Sequence, residues 1–353
     1  VFIRRFAGRR LMGWLRVASA IPSLLCLLAP KASGDGFPSD PLGWPATTAL
    51  TKPWTRWWWL GSAVEPREIT RELEAFSAAG IGGVEICPIY GAIGAESRFV
   101  PHLSEAWMTA LDHTLKEAER LGMKVDLTTG TGWPFGGPKV DESIASANLT
   151  SYRKSWSGGE KRKESLPKGR LICLQAESSG QRIDLSSSVS NGILEWAAPA
   201  GDWTVRGLFS ASPIQKVKRA APGGEGNVLD PFSPEAMDLY FQPFQQALAK
   251  LGPLQPRAHF HDSFEYYQAA WTREFPKQFE SRRGYSLLSQ LAAFQGDAAP
   301  ELVERVRSDY RRTLDELHHD YLQRWHDRVK SQGSITRNQA HGSPGNLLDH
   351  YAA

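Results

Sequence analysis

The chain has 353 residues, 41% of them hydrophobic and 22% charged. That is enough to bury one large α/β barrel or about two ordinary domains, and it excludes a disordered chain, a collagen-like repeat and a cysteine-stapled miniprotein. The formal charge of +3 misleads: Arg4, Arg5, Arg9, Arg10, Arg16 and Lys31 lie in the first 34 residues, which hold no acid, and the remainder carries 35 basic against 38 acidic residues, a net of −3 that argues against nucleic acid as a partner.

Residues 1–34 read as an export signal, with arginines from Arg4 to Arg16, an apolar run from Val17 to Leu28 broken by Pro22, and Ala32-Ser33-Gly34 as a small-x-small cleavage site. The run is shorter than the ~20 residues of a membrane span. Leu25 precedes Cys26 where a lipoprotein signal needs a small residue, so the expectation is a periplasmic or secreted protein with no membrane anchor. Cys87 and Cys173, the cysteines beyond the signal, read as buried apolar side chains rather than a pair.

Trp54 to Gly61 predicts a strand, and Glu65-Pro66 opens a helix with Ile69, Leu73, Phe76 and Ala79 on its apolar face and Gly80 as its stop. Strand Ile81–Pro88, a helix from Ser104 to Leu121 and strand Lys124–Gly130 follow, the rhythm of βαβ units on a parallel sheet. From 147 to 212 short alternating runs, among them 170–174, 181–185 and 203–209, predict an inserted antiparallel β-module. The βα rhythm resumes with a helix from Ser233 to Leu248, strand Arg257–Phe264, helices over 271–283 and 299–330, strand Ser334–Arg337 and a helix near Asn346. The organisation expected is therefore a signal over 1–34, the first part of a barrel over 35–146, the insert over 147–212 and the barrel's continuation over 213–353. Five strands fall short of the eight that close a (β/α)8 TIM-type barrel, so the fold expected is an incomplete one.

Ligands in parallel α/β folds bind at the C-terminal ends of the strands. The residues placed there are Glu85, Asp126, His259, His261, Asp262, Glu265, Asn338, Gln339 and His341, with Trp57 to Trp59 and Trp133 nearby. Acids, amides and imidazoles beside indoles suit a sugar, whose C–H faces pack on rings while its hydroxyls need polar partners. Glycoside hydrolysis needs a protonated carboxyl and a second carboxylate. Glu265, flanked by Phe264, Tyr266 and Tyr267, is the candidate acid, its pKa expected to rise by desolvation. The competing expectation is that Asp262 and Glu265 simply pair with Arg257 or Arg273. The glycines of 130–137 and 221–226 match neither dinucleotide nor P-loop spacing. No Cys/His cluster has zinc spacing. His318 and His319, beside Asp315, read as a solvated helix face.

Several segments, in order, resemble one family: Arg56-Trp57-Trp58-Trp59-Leu60-Gly61, Ile69–Leu73, Gly80–Ile86, Gly130-Thr131-Gly132-Trp133-Pro134-Phe135-Gly136-Gly137-Pro138, Val217–Gly226, Asp262-Ser263-Phe264-Glu265 and Gln339–Asp349. Together they are similar to the glycoside hydrolases of family 106, the α-L-rhamnosidases. The resemblance implies a (β/α)8 catalytic barrel with appended β-domains, acting on terminal rhamnose of a glycan or glycoside. It also implies an inverting mechanism with its two carboxyls about 6.5–9.5 Å apart. Glu265 takes the general-acid role by motif; Trp58, Glu85, Asp126, Trp133, His261, Asp262, Gln339 and His341 are the candidate sugar contacts. Family members can hold a calcium ion near the sugar hydroxyls, with ligands unassigned in this chain. The family's base is expected beyond the Gln339–Asp349 motif, so the chain as written is expected to be a fragment without turnover. The alternatives are a non-catalytic carbohydrate-binding protein and a purely structural exported module.

Overall fold

The structure, a computed structural model, describes residues 42–159 and 161–352; the export signal expected over 1–34 lies outside the described residues. From Thr47 onward the chain forms one unit. It opens with strand β1 (Trp54–Leu60), helix α1 (Pro66–Ala78), β2 (Gly83–Ile89), α2 (Glu105–Arg120) and β3 (Lys124–Thr128). Pro66 sits in the first turn of α1, and the Ser104 hydroxyl caps α2 by accepting from the Trp107 amide. A short β4 (Gly136–Gly137) precedes the inserted module. Its strands are β5 (Thr150–Ser157), β6 (Lys161–Ser165), β7 (Arg170–Ser178), β8 (Gln181–Asp184), β9 (Val189–Ser190), β10 (Ile193–Ala197) and β11 (Asp202–Ser210). Then come β12 (Asn227–Val228), α3 (Pro234–Leu248), β13 (Ala258–His261), α4 (Phe275–Arg283), α5 (Leu291–Phe294), α6 (Pro300–Lys330), β14 (Ile335–Asn338) and α7 (Leu347–Ala352).

The principal sheet has the order β1-β2-β3-β13-β14 with every pairing parallel. It is open, with β1 and β14 at its edges, so the described residues form no closed barrel. Strand alternation separates its faces. Trp57, Trp59, Val84, Ile86, Val125 and Leu127 point to one side and are buried against Ile69 and Leu73 of α1 and Trp107 and Leu111 of α2. Fully burying such a side chain contributes about 1.5–3 kcal/mol. The helix side continues around α3 and α6, where Tyr240, Phe241, Tyr321 and Trp325 share a core with Phe135. His318, expected on a solvated face, is buried there, with the Pro231 carbonyl 3.0 Å from Nδ1. One position in a long amphipathic helix does not reveal that a loop covers it.

The inserted module is two antiparallel sheets, β5-β11-β7-β8 and β6-β10-β9, around Trp156, Trp196, Trp203, Leu174, Leu194 and Val205. Sequence alternation found β7, β8 and β11. It passed over β5 and β6, whose runs of Arg, Lys and Ser hide a single inward residue such as Trp156. Buried Arg206 of β11 holds the module to the segment after α5, bonding Glu177 at 3.0 Å and Gln295 at 3.0 Å and pairing with Asp297. Cys87 is buried, as expected, whereas Cys173 is half-buried rather than buried; neither forms a disulfide. Among the described residues no helix is long and apolar enough to cross a membrane.

Candidate active site

The face of the sheet opposite the helices carries charge. Arg56, Glu85 and Asp126 are cross-strand neighbours on β1, β2 and β3. Arg56 bonds Glu85 at 2.7 Å and Asp262 at 2.9 Å; Arg337 of β14 reaches both Glu85 and Asp126 at 2.8 Å. Arg257 grips Asp126 with two nitrogens, at 2.9 and 2.6 Å. Three arginines thus neutralise three carboxylates. The expectation that Glu85 and Asp126 stand at strand ends, facing a ligand, is corrected: both lie within their strands, buried, their oxygens taken by guanidinium groups. The motif reading counted from an approximate strand end, and it gave no sign of the arginines arriving from β1, from β14 and from the residue just before β13.

His261 is corrected as well. It falls on the helix side of β13, buried among Phe135, Tyr266, Tyr321 and Trp325. Burial lowers its pKa to about 4, so the ring is neutral at pH 7. Phe260, between the two histidines of the strand, faces the arginines instead, with Arg56 and Arg337 lying 4.9 and 5.3 Å from its ring centre.

The strand ends at His261, short of the expected Phe264, because Asp262 turns the chain. Its Oδ1 accepts from the Ser263 amide at 2.8 Å, and the Glu265 amide donates to the Ser263 carbonyl at 2.8 Å. The turn carries Glu265 above the sheet, where three segments meet it. From the loop after β3, the Trp133 indole donates to Oε2 at 3.2 Å. From the strap before β12, Lys218 donates to the same oxygen at 2.6 Å, and the Tyr267 hydroxyl reaches it at 3.0 Å. On the other oxygen, Ser263 Oγ lies 3.3 Å from Oε1. Gln215 fastens strap to turn, donating to the Glu265 carbonyl and accepting from the Tyr267 amide.

Loop and strap join through two backbone bonds between Trp133 and Lys218, at 3.0 and 2.8 Å. Gly132 makes this approach possible. Its φ is +53°, and a Cβ there would lie 1.9 Å from the Lys218 carbonyl oxygen. Trp58, 43% exposed, faces Trp133 with ring centres 6.5 Å apart, and the Arg56 guanidinium lies 5.1 Å from the Trp58 ring. Gln339 and His341 lie exposed on the loop after β14. Their backbones tie that loop down: Gln339 N donates to the His261 carbonyl and the His341 carbonyl accepts from Phe264 N.

The structure therefore brings Trp58, Trp133, Asp262 and Glu265 together, sets Gln339 and His341 at the margin, and places Glu85, Asp126 and His261 elsewhere. The desolvation expected to raise the pKa of Glu265 is present but outweighed, because Phe264 and Tyr266 turn to the core while the carboxylate stays partly exposed. Instead the Lys218 hydrogen bond holds it below the usual carboxylate range. Neither acid pairs as expected with Arg257 or Arg273; Asp262 takes Arg56 and Glu265 takes Lys218. Lys218, Gln215 and Tyr267 are the residues that sequence reasoning did not select. Lys218 lay inside a quoted motif, Val217–Gly226, which was its one available signal. For calcium the fit is poor. Among the described residues no cluster of three or more His, Cys, Asp or Glu could hold a metal, and the acids of the sheet face are taken by arginines.

The family model for glycoside hydrolase family 106, described as alpha-L-rhamnosidase, matches residues 45–173 and 172–349. A curated protein of Formosa agariphila named "Putative beta-glucuronidase" is 28% identical over 326 residues, covering 77% of this chain and 28% of that protein. The solved structure of a rhamnosidase from Novosphingobium sp. PP1Y has the same fold over 86% of this chain and 48% of its own, with a TM-score of 0.62 at 16% identity. The chain spans less than half the length of either.

Proposed function

The chain belongs to the alpha-L-rhamnosidase family, glycoside hydrolase family 106, and on that premise we propose that it acts on terminal α-L-rhamnose, with Glu265 as the proton-donating carboxyl. The five parallel strands are read here as part of a (β/α)8 barrel, and the basic, apolar character of residues 1–34 as an address outside the cytoplasm. The observation that carries the reading is the bond from Trp133 Nε1 to Glu265 Oε2: it sets an acid at the edge of an indole that itself faces Trp58. A sugar ring laid on exposed Trp58 and half-buried Trp133 would bring its glycosidic oxygen toward that acid. Asp262 and Ser263 lie within reach of its hydroxyls.

An inverting hydrolysis needs a second carboxylate to activate water. Glu85, Asp126 and Asp262 are each bound to arginine, so the base comes from outside this set. That observation also favours the second reading, a carbohydrate-binding protein without turnover. The relative named for β-glucuronidase widens the test to a second sugar class.

Calorimetry with methyl α-L-rhamnoside and with methyl β-D-glucuronide, together with release of a poor leaving group from each class, separates these readings. Expected are binding of the rhamnoside, its loss in Trp133→Ala, and retained binding without hydrolysis in Glu265→Gln. Binding with no turnover in any form of the protein supports the binding reading. No rhamnoside binding at all refutes both.

A further inference from the structure

A general acid must hold a proton when it acts, and folds usually secure this by burying the carboxyl or by setting a second acid beside it. Glu265 has the opposite surroundings. Lys218, Tyr267 and Trp133 all direct their hydrogens at one oxygen, Oε2, at 2.6, 3.0 and 3.2 Å. Ser263 Oγ, 3.3 Å from Oε1, lies 3.4 Å from Asp262 Oδ1 and so stands between the two acids.

The charged and titratable groups around Glu265 are few. The strap contributes Lys218 and Arg219, the latter turned aside to the Tyr90 hydroxyl at 3.1 Å. The turn itself contributes Tyr267 and Asp262, and β1 contributes Arg56, spent on Asp262 and Glu85. Lys218 is thus the cation that governs Glu265, and the Glu265 bond in turn raises the pKa of Lys218. Lys218 sits on a flexible stem, 37% exposed, its ammonium 4.1 Å from the Tyr267 ring centre. Its ammonium also donates to the Tyr267 hydroxyl, so leaving Oε2 does not strand it.

Building on the reading of Glu265 as the acid, we propose that Lys218 is a ligand-released lock: without sugar it holds Glu265 ionised through Oε2, and a sugar hydroxyl that takes over its ammonium lets Glu265 accept one proton from solvent on Oε1. The proton comes from the buffer, and the site gains one positive charge on binding a neutral ligand. The ligand class is an uncharged, hydroxyl-rich ring seated beside Trp133. Lys218 acts here as a positioning residue, since it works through Glu265.

Two measurements test the lock. The first is calorimetry of methyl α-L-rhamnoside at about pH 5 in buffers of differing ionisation enthalpy. The expected result is net uptake of a fraction of a proton per ligand bound, shrinking as pH rises toward 7 and vanishing in Glu265→Gln while binding persists. Binding without proton uptake overturns the lock and leaves the rhamnoside reading standing. The second needs no ligand: the Glu265 carboxyl is titrated by 13C NMR in the wild type, Lys218→Met and Tyr267→Phe. Lys218→Met should move the midpoint upward by about one pH unit or more, as expected for loss of an adjacent cation, and Tyr267→Phe by less. An unmoved midpoint in Lys218→Met overturns the proposal whether or not rhamnoside binds.

Discussion

The arginine–carboxylate face of the sheet makes an asymmetric prediction. Asp126 has no exposed side-chain surface, whereas its partners Arg257 and Arg337 are 26% and 41% exposed. Replacing Arg257 by Met removes both bonds to Asp126 and leaves the buried carboxylate with Arg337 as its arginine partner. Stranding one member of a buried pair costs about 3–5 kcal/mol. The remaining arginine favours the lower end, and loss of the Arg257 contact with the Trp54 ring, 4.5 Å away, adds about 0.5–1. The expected loss is about 3–4 kcal/mol, a large share of a typical domain stability of about 5–15.

Asp126→Leu should cost less, about 1–2 kcal/mol, because both arginines can turn their heads to water while the new side chain fills the space. The double variant should lie within about 1 kcal/mol of Asp126→Leu alone, since the stranded charge is gone. The assay is urea unfolding at pH 7 followed by tryptophan fluorescence. If Asp126→Leu proves costlier than Arg257→Met, or if the double variant shows no rescue, the acid is not the desolvated partner and the reasoning fails.

Other predictions concern pH and the strap. Burial lowers the pKa of His102 and His318 to about 3 and of His259 and His261 to about 4. The unfolded chain then binds more protons than the folded one below the ordinary histidine value of about 6.5, so stability is complete above it and falls as pH drops toward 4. Asp230, pushed up to about 7 by burial, opposes this with the contrary slope, but it is one group against four. A melting temperature that stays flat from pH 7 to 5 would contradict the burial of these rings. Gly132→Ala places a Cβ against the Lys218 carbonyl at a φ that only glycine adopts readily. It should cost about 1–3 kcal/mol in a thermal melt and weaken methyl α-L-rhamnoside binding by displacing Lys218; unchanged affinity would mean that the strap is not part of the site.

Much of the fold was legible because burial leaves a periodic trace. The alternation of Trp57 and Trp59, Val84 and Ile86, Val125 and Leu127 marks one face of three strands, and Ser104 and Ser233 mark the starts of α2 and α3 by capping chemistry. The opposite face left a weaker trace. Arg56, Glu85, Asp126 and Arg337 are polar at positions that alternation assigns to solvent, yet they desolvate one another across β1, β2, β3 and β14. A residue-type reading cannot tell a solvated acid from one neutralised by an arginine more than a hundred positions away, as Arg257 is from Asp126.

The site divides along the same line. Glu265 and Asp262 stand out in the sequence because they crowd into one short segment, and Trp133 because it follows glycines at a strand end. What determines the behaviour of Glu265, however, is Lys218, which a two-bond backbone bridge to Trp133 delivers and which Gly132 alone allows to come so near. Flanking aromatics suggested a desolvated acid, but Phe264 and Tyr266 turn to the core, Tyr267 offers its hydroxyl, and the neighbour in space carries a charge. For a carboxyl on a turn the local environment is therefore set by whichever loop crosses above it. On the lock proposed above, the protonation state of Glu265 depends on how a ligand rearranges that crossing.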